Sequence, residues 1–234
     1  MIIPLWDENP FAKDRWPVVS WTLIGINIAV FVAVSGMSDE TYQAFVAHWG
    51  LTPASLFHPN GLVPLVTPLT SIFLHANLFH LLSNMLLFWI VGDDVEEALG
   101  RRRFAIFYLA CGLLAALAYA VSAPQSTVPE IGASGPIAGL LAAYVMFRPC
   151  KKIVTLLFWF VVRIDAYWMI GAWVLIQFID IGLSADDGGD SVAYAAHIGG
   201  LIAGAVLFAA MRPAGIELFQ CLDQSKARAD GTVT

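Results

Sequence analysis

Residues 131–139 read Ile131-Gly132-Ala133-Ser134-Gly135-Pro136-Ile137-Ala138-Gly139. The hydroxyl of Ser134 stands at the head of an apolar run, with Gly132 and Gly135 close by and Pro136 where a missing N–H does no harm to a helix. Two readings of that hydroxyl are open, a cap on a helix N-terminus or a nucleophile. The run that follows, 135–147, has 13 residues and ends at Arg148, with Lys151 and Lys152 just beyond. At 1.5 Å per residue it makes about 20 Å of helix, short of a hydrocarbon core about 30 Å thick. With its basic end held at the inner interface, the shortfall falls on the outer side. Ser134 is then expected roughly 10 Å below the outer surface.

That ruler applies because the chain is a membrane protein by composition. It is 59% hydrophobic and 13% charged, against about 45–50% and about 25% in soluble domains. The net charge of -6 arises mainly from short acidic clusters such as 93–97 and 186–190, and no basic patch suggests nucleic acid. Cys111, Cys150 and Cys221 show neither metal nor disulfide spacing and read as packing residues or free thiols.

Uncharged apolar stretches at 16–37, 78–92, 104–123, 135–147, 167–183 and 192–211 predict six spans. The first is long for the core of a signal peptide and suits a retained span. Every Lys and Arg falls before the first span, after the sixth, or in the connections after the second and fourth. Both termini are therefore expected on the cytoplasmic side. This divides the chain into a cytoplasmic segment 1–15, a membrane domain 16–212 and a cytoplasmic tail 213–234, expected to be weakly ordered. Between 49 and 74 the chain is uncharged, but Pro53, Pro59, Gly61, Pro64 and Pro68 forbid a continuous helix. A structured outer loop lying partly in the membrane, with short helical turns, is expected there. The apolar stretch 153–162, between Lys152 and Arg163, is expected to lie along the inner interface.

Other polar residues fall at the depth of Ser134. His197 precedes Arg212 by 15 residues, Ser134 precedes Arg148 by 14, and His80 precedes Asp93 by 13. These separations put all three about 20–22 Å above the inner interface, with Asn84 one turn deeper. Polar groups at that depth face one another or a water-filled cavity, which makes them functional candidates. Gly135 and Gly139, and Gly200 and Gly204, form small-xxx-small pairs that let helix backbones approach.

A serine beside a histidine is a candidate nucleophile with its general base. His80 and Asn84 share one helix face and can donate hydrogen bonds to a developing oxyanion, as can the N–H of Ser134 at a helix N-terminus. His75 lies off that face and reads as a supporting or structural group. The bland alternatives are a hydrogen-bonded packing histidine and an asparagine that joins helices. A metal site from His75, His80 and His197 lacks a carboxylate and the His-Glu-x-x-His pattern, so neither metal nor cofactor is expected. Asp165 and Asp180 can both sit at the ends of the fifth span, which favours a dyad over a triad.

Gly132-Ala133-Ser134-Gly135, His75-x-x-x-x-His80-x-x-x-Asn84 and Ala196-His197-x-x-Gly200-x-x-x-Gly204 together resemble the motifs of the rhomboid family of intramembrane serine proteases. The resemblance extends from about Leu51 through the sixth span. It implies an all-α, six-transmembrane-helix bundle with a membrane-embedded first outer loop. It further implies that Ser134 is the nucleophile, His197 its base, and His80 and Asn84 the lining of the oxyanion hole. The substrates implied are single-pass or polytopic transmembrane proteins, cut near their outer ends, with the fifth span as the gate. Two departures are visible. The first loop has no Arg where many relatives carry an aromatic-arginine pair, and Val66-Thr67-Pro68 stands near that place. Ala138 stands one turn after Ser134, where some relatives stack an aromatic ring on the histidine.

Three functions remain to be separated: an intramembrane serine endopeptidase, a catalytically inactive rhomboid-like protein that binds transmembrane helices, and a small transporter. Intact Ser134 and His197 favour the first, and the lack of intramembrane charge and inverted repeats disfavours the last. Short polar termini without a presequence make a bacterial plasma membrane the expected location.

Overall fold

The structure, a computed structural model, describes residues 2–7, 16–183 and 190–221. The expected acidic cluster at 186–189 and the terminal stretches 8–15 and 222–234 lie outside the described residues. Long apolar runs without interior proline give α1 (Val18–Val34), α5 (Leu78–Leu99), α6 (Arg101–Ser122), α7 (Ser134–Phe147), α8 (Ala166–Leu183) and α9 (Asp190–Met211). Residues 78–99, 101–122 and 194–211 are each long and apolar enough to cross a membrane. Shorter apolar helices lie at Val18–Val34, Val63–Phe73, Ser134–Phe147 and Ala166–Ile176. α9 lies against both α6 and α7, the two most extensive helix contacts. Phe88, Phe104, Phe107, Tyr108, Tyr144 and Phe208 fill the space between the helices.

α5 runs seven residues past the predicted end of its span, because two of the acids there, Asp94 and Glu96, are buried with partners. Glu96 caps α1 from a distance: its carboxylate accepts from Val19 N (3.1 Å), Ser20 N (2.7 Å) and Ser20 Oγ (2.8 Å). α1 needs this, since Pro17 before it offers no side-chain cap and the first-turn N–H groups have no partner in their own helix. Asp94 meets Lys151, whose Nζ lies 2.5 Å from both Asp94 Oδ2 and Asp7 Oδ2. Tyr144 donates its hydroxyl to Asp7 at 3.1 Å.

Two prolines of residues 49–74 open short helices as expected, while Pro68 lies inside one of them. Pro53 opens α3 (Pro53–Phe57), Pro64 opens α4 (Val63–Thr70), and a 3-10 turn (Ser71–Phe73) follows. A further helix, α2 (Asp39–Trp49), precedes them, capped by Ser38.

Three expectations are corrected near the C-terminal end of α7. The chain is not all-α: β1 (Ile2–Asp7), β2 (Lys152–Leu157) and β3 (Phe160–Asp165) form an antiparallel sheet in the order β1-β2-β3. The stretch 153–162 is the greater part of its hairpin, a shape that suits Ile153, Val154, Thr155, Val161 and Val162, whose branched side chains favour strands. Cys150 and Cys221 form a disulfide with Cα atoms 5.1 Å apart. It ties the tail back to the C-terminal end of α7, where Phe219 N also donates to Met146 O at 2.7 Å. The tail is thus docked through residue 221, because its anchors lie 71 and 73 residues upstream. Cys111 is buried and free, as read.

Glu96→Ala removes three acceptor contacts and leaves helix N–H groups buried without partners, a loss of about 1–3 kcal/mol per unsatisfied group. Thermal unfolding in detergent is expected to show a clear drop in midpoint for Glu96→Ala and a smaller one for Glu96→Gln, which keeps one acceptor oxygen. Equal midpoints in all three proteins would refute the cap.

Candidate functional site

Ser134 is the first residue of α7, and its position is set by the loop before it. Leu51 and Glu130 exchange backbone hydrogen bonds at 3.0 and 2.8 Å, and Gly132 N donates to Ser71 O at 2.9 Å. Gly132 has φ +132°, and a Cβ there would lie 2.9 Å from Cε1 and Nε2 of His80, so both backbone and space call for glycine. The residue in the cap position is Ala133, which makes no side-chain bond to the helix. The Ser134 hydroxyl instead pairs with His197, Oγ to Nε2 at 2.8 Å.

That distance depends on how closely α7 and α9 approach. A Cβ on Gly200 would collide with Gly135 O, and one on Gly204 with Gly139 O. On the α6 side, a Cβ on Gly135 would stand 2.7 Å from Ala115 Cβ, and one on Gly139 2.7 Å from Cys111 Sγ. The four glycines picked out by spacing therefore lie in backbone contact at one interface.

The remaining candidates lie on the α5 side. His80 is held by Asn77, whose side chain accepts from His80 N at 2.9 Å, and Ala76 N donates to His80 Nδ1 at 3.5 Å. With Nδ1 accepting, the ring proton is assigned to Nε2, on the side that meets Gly132. Asn84 is buried and gives one amide hydrogen to His80 O at 3.0 Å, leaving the NH2 group a second hydrogen. His75 is buried edge-on to His80, with ring centroids 5.1 Å apart. Its carbonyl accepts from the Tyr42 hydroxyl at 2.9 Å. Among the described residues, both ring nitrogens of His75 are buried without a hydrogen-bond partner.

Two residues beside His197 escaped the sequence reading. Trp173 on α8 places its ring centroid 5.7 Å from that of His197, and Tyr194 on α9 places its own at 6.3 Å, edge to face. Tyr194 was within reach of helical spacing, being three residues before His197. Trp173 was not, since nothing in a sequence gives the distance between two helices. Ala138 meanwhile fills the α9 interface, its Cβ 3.2 Å from where a Cβ of Gly200 would be.

Burial pushes the Glu130 carboxyl up to about 8. Its Oε2 is buried without a partner among the described residues. Fold and site together define a helical integral membrane protein in which a serine and a histidine are paired between helices. A family model described as the Rhomboid domain matches residues 64–214. The chain belongs to the rhomboid family. It is 30% identical over 206 residues to the rhomboid protease GluP of Bacillus subtilis, covering 87% of this chain and 37% of that one. It is 25% identical over 194 residues to the rhomboid protease GlpG of Salmonella paratyphi A, covering 82% and 62%. To the rhomboid-related protein 3 of Homo sapiens it is 30% identical over 141 residues, covering 60% and 34%. The chain thus spans less than two thirds of the length of these relatives.

Glu130 yields a prediction about pH. Its folded value lies above its ordinary value of 4.5, so the folded protein binds the extra proton between 4.5 and about 8. Stability from this group therefore falls as pH rises through that window and levels off above it. The unfolding midpoint of Glu130→Gln, which carries no such proton, is expected to gain on wild type from pH 5 to about pH 8 and then hold a constant lead. A midpoint difference independent of pH would contradict the burial of Glu130 as a neutral acid.

Proposed function

We propose that the chain is an intramembrane serine endopeptidase that hydrolyses transmembrane segments of other membrane proteins near their outer ends. The observation that carries this reading is the 2.8 Å contact between Ser134 Oγ and His197 Nε2. Ser134 is the nucleophile. Neutral His197 accepts the hydroxyl proton at Nε2 as Oγ attacks the scissile carbonyl carbon, and returns it to the leaving amine. The negative charge that forms on the carbonyl oxygen is met by the Ser134 N–H, at the positive end of α7, and by His80 Nε2–H and the Asn84 amide. A water activated by His197 then releases the acyl group. His75, packed on His80, holds that ring in place. Trp173 and Tyr194 confine the His197 ring, the task an aromatic residue at position 138 would otherwise perform.

In this reading α1, α5, α6, α7, α8 and α9 are the six spans, with both termini cytoplasmic and the site opening to the outer side, in a bacterial plasma membrane. The distribution of Lys and Arg supports the orientation. A cleft of about 240 Å³, lined by Leu87, Leu141, Trp168, Trp173 and Ile176 among others, supports α8 as the wall a substrate helix passes. The names of the relatives GluP and GlpG as rhomboid proteases support the reaction class.

A fluorophosphonate probe tests the proposal without knowledge of the substrate. Wild type is expected to be labelled at Ser134, located by mass spectrometry, and Ser134→Ala and His197→Ala to lose labelling by about a thousandfold or more. No labelling of folded wild-type protein by probes of several sizes would favour the inactive, helix-binding reading.

A further inference from the structure

The β2-β3 hairpin carries an apolar tip that no element among the described residues covers. Phe158, Trp159, Phe160 and Val161 are 62%, 91%, 73% and 62% exposed. Register assigns the side chains to the two faces: Ile153 with Ile164, Thr155 with Val162 and Leu157 with Phe160 on one, Val154 with Arg163 and Leu156 with Val161 on the other. A sheet with one face in water alternates apolar and polar residues. Toward this tip both faces are apolar, a pattern that suits strands with an apolar medium on either side. The charges collect at the root, where Lys152 pairs with Asp165 at 2.6 Å.

The direction of the hairpin selects the medium. Thr155 Oγ1, halfway along β2, contacts Met169 Sδ at 3.8 Å, one turn into α8, and Ile164 and Pro4 line the cleft beside Trp168 and Trp173. The strands therefore lie back along α8 and do not project away from the helices into the cytoplasm. The tip is about 20 Å from the root at the rise of a strand. α8 carries exposed apolar side chains of its own, Trp168 at 66% and also Leu175 and Ile179. Tryptophan and phenylalanine flanked by basic residues are the composition of segments that settle at a headgroup boundary.

We infer that the Phe158–Val161 tip inserts into the inner leaflet of the bilayer and anchors the sheet there. β3 passes into α8 with no intervening residue, Asp165 to Ala166, so the anchor also fixes the inner end of α8. Lys151 extends the hold to the N-terminal strand through Asp7. The inference rests on the membrane location of the chain and not on its proposed activity.

Fluorescence in vesicles of phosphatidylethanolamine and phosphatidylglycerol tests it, using the full chain and Trp159→Phe, a change mild enough to keep the hairpin. The difference between the two emission spectra isolates Trp159 from the seven other tryptophans. That difference emission is expected to be blue-shifted, largely lost when the lipids carry brominated acyl chains, and insensitive to iodide supplied on both sides of the membrane. Emission quenched by iodide and unaffected by brominated lipid would overturn the anchor in favour of a tip in water. Emission insensitive to both would overturn it in favour of a tip covered by protein. Fluorophosphonate labelling of the same samples reads the proposed activity separately, so either idea can fail alone.

Discussion

Backbone meets backbone where α7 crosses α9, Gly135 against Gly200 and Gly139 against Gly204. In hydrocarbon, lipid tails are as apolar as leucine, so helices gain little by hiding apolar side chains from them. What holds α7 to α9 is the dense contact that small residues permit, and the same closeness determines whether a short serine side chain can reach a histidine on the next helix. Any side chain at Gly200 or Gly204 would separate the two helices. The 2.8 Å contact between Ser134 and His197 is a consequence of that packing.

The rest of the molecule keeps those helices at their heights. α7 is short because Gly132 and the Leu51–Glu130 bridge bring the preceding loop to its first residue, while Arg148 closes its last turn, its N–H donating to Tyr144 O. Lys151 sits between two carboxylates, buried Asp94 on α5 and partly buried Asp7 on β1, and so joins three parts of the chain in one ionic group. Breaking such a group from one side strands a charge, which penalises any sliding of α7 relative to α5. The Cys150–Cys221 disulfide adds a covalent tie between the foot of α7 and the segment after α9. The Ser134–His197 pair at the N-terminal end of α7 is thus supported by ionic and covalent fastening at its C-terminal end.

Much of this was legible in the sequence because a membrane supplies a ruler. Hydrophobic length and the positions of Lys and Arg assign depth, and depth alone puts Ser134, His197 and His80 near one level, with Asn84 one turn deeper. Spacing likewise picked out the glycines that meet at the α7-α9 interface. What escaped were pairings between distant residues with no periodic signal. β1 joins β2 across about 150 residues, Glu96 caps a helix 76 residues earlier, and Cys150 meets Cys221. Residues 153–162 are rich in β-branched side chains that suit strands, but half of the pairing of β2 comes from β1, far away in the chain. Trp173 beside His197 belongs to the same class of omission, since the arrangement of helices around a site is not written in any one of them.

The requirement for close approach is tested most directly at Gly204, which touches neither Ser134 nor His197. The rate of fluorophosphonate labelling at Ser134 would be measured for wild type, Gly204→Ala and Gly204→Val, each confirmed as folded by its unfolding transition. A graded fall is expected, reaching about a hundredfold for valine, as a shift of roughly 1 Å carries the base out of reach. An undiminished rate in folded Gly204→Val would contradict the dependence of the Ser134–His197 pair on this contact.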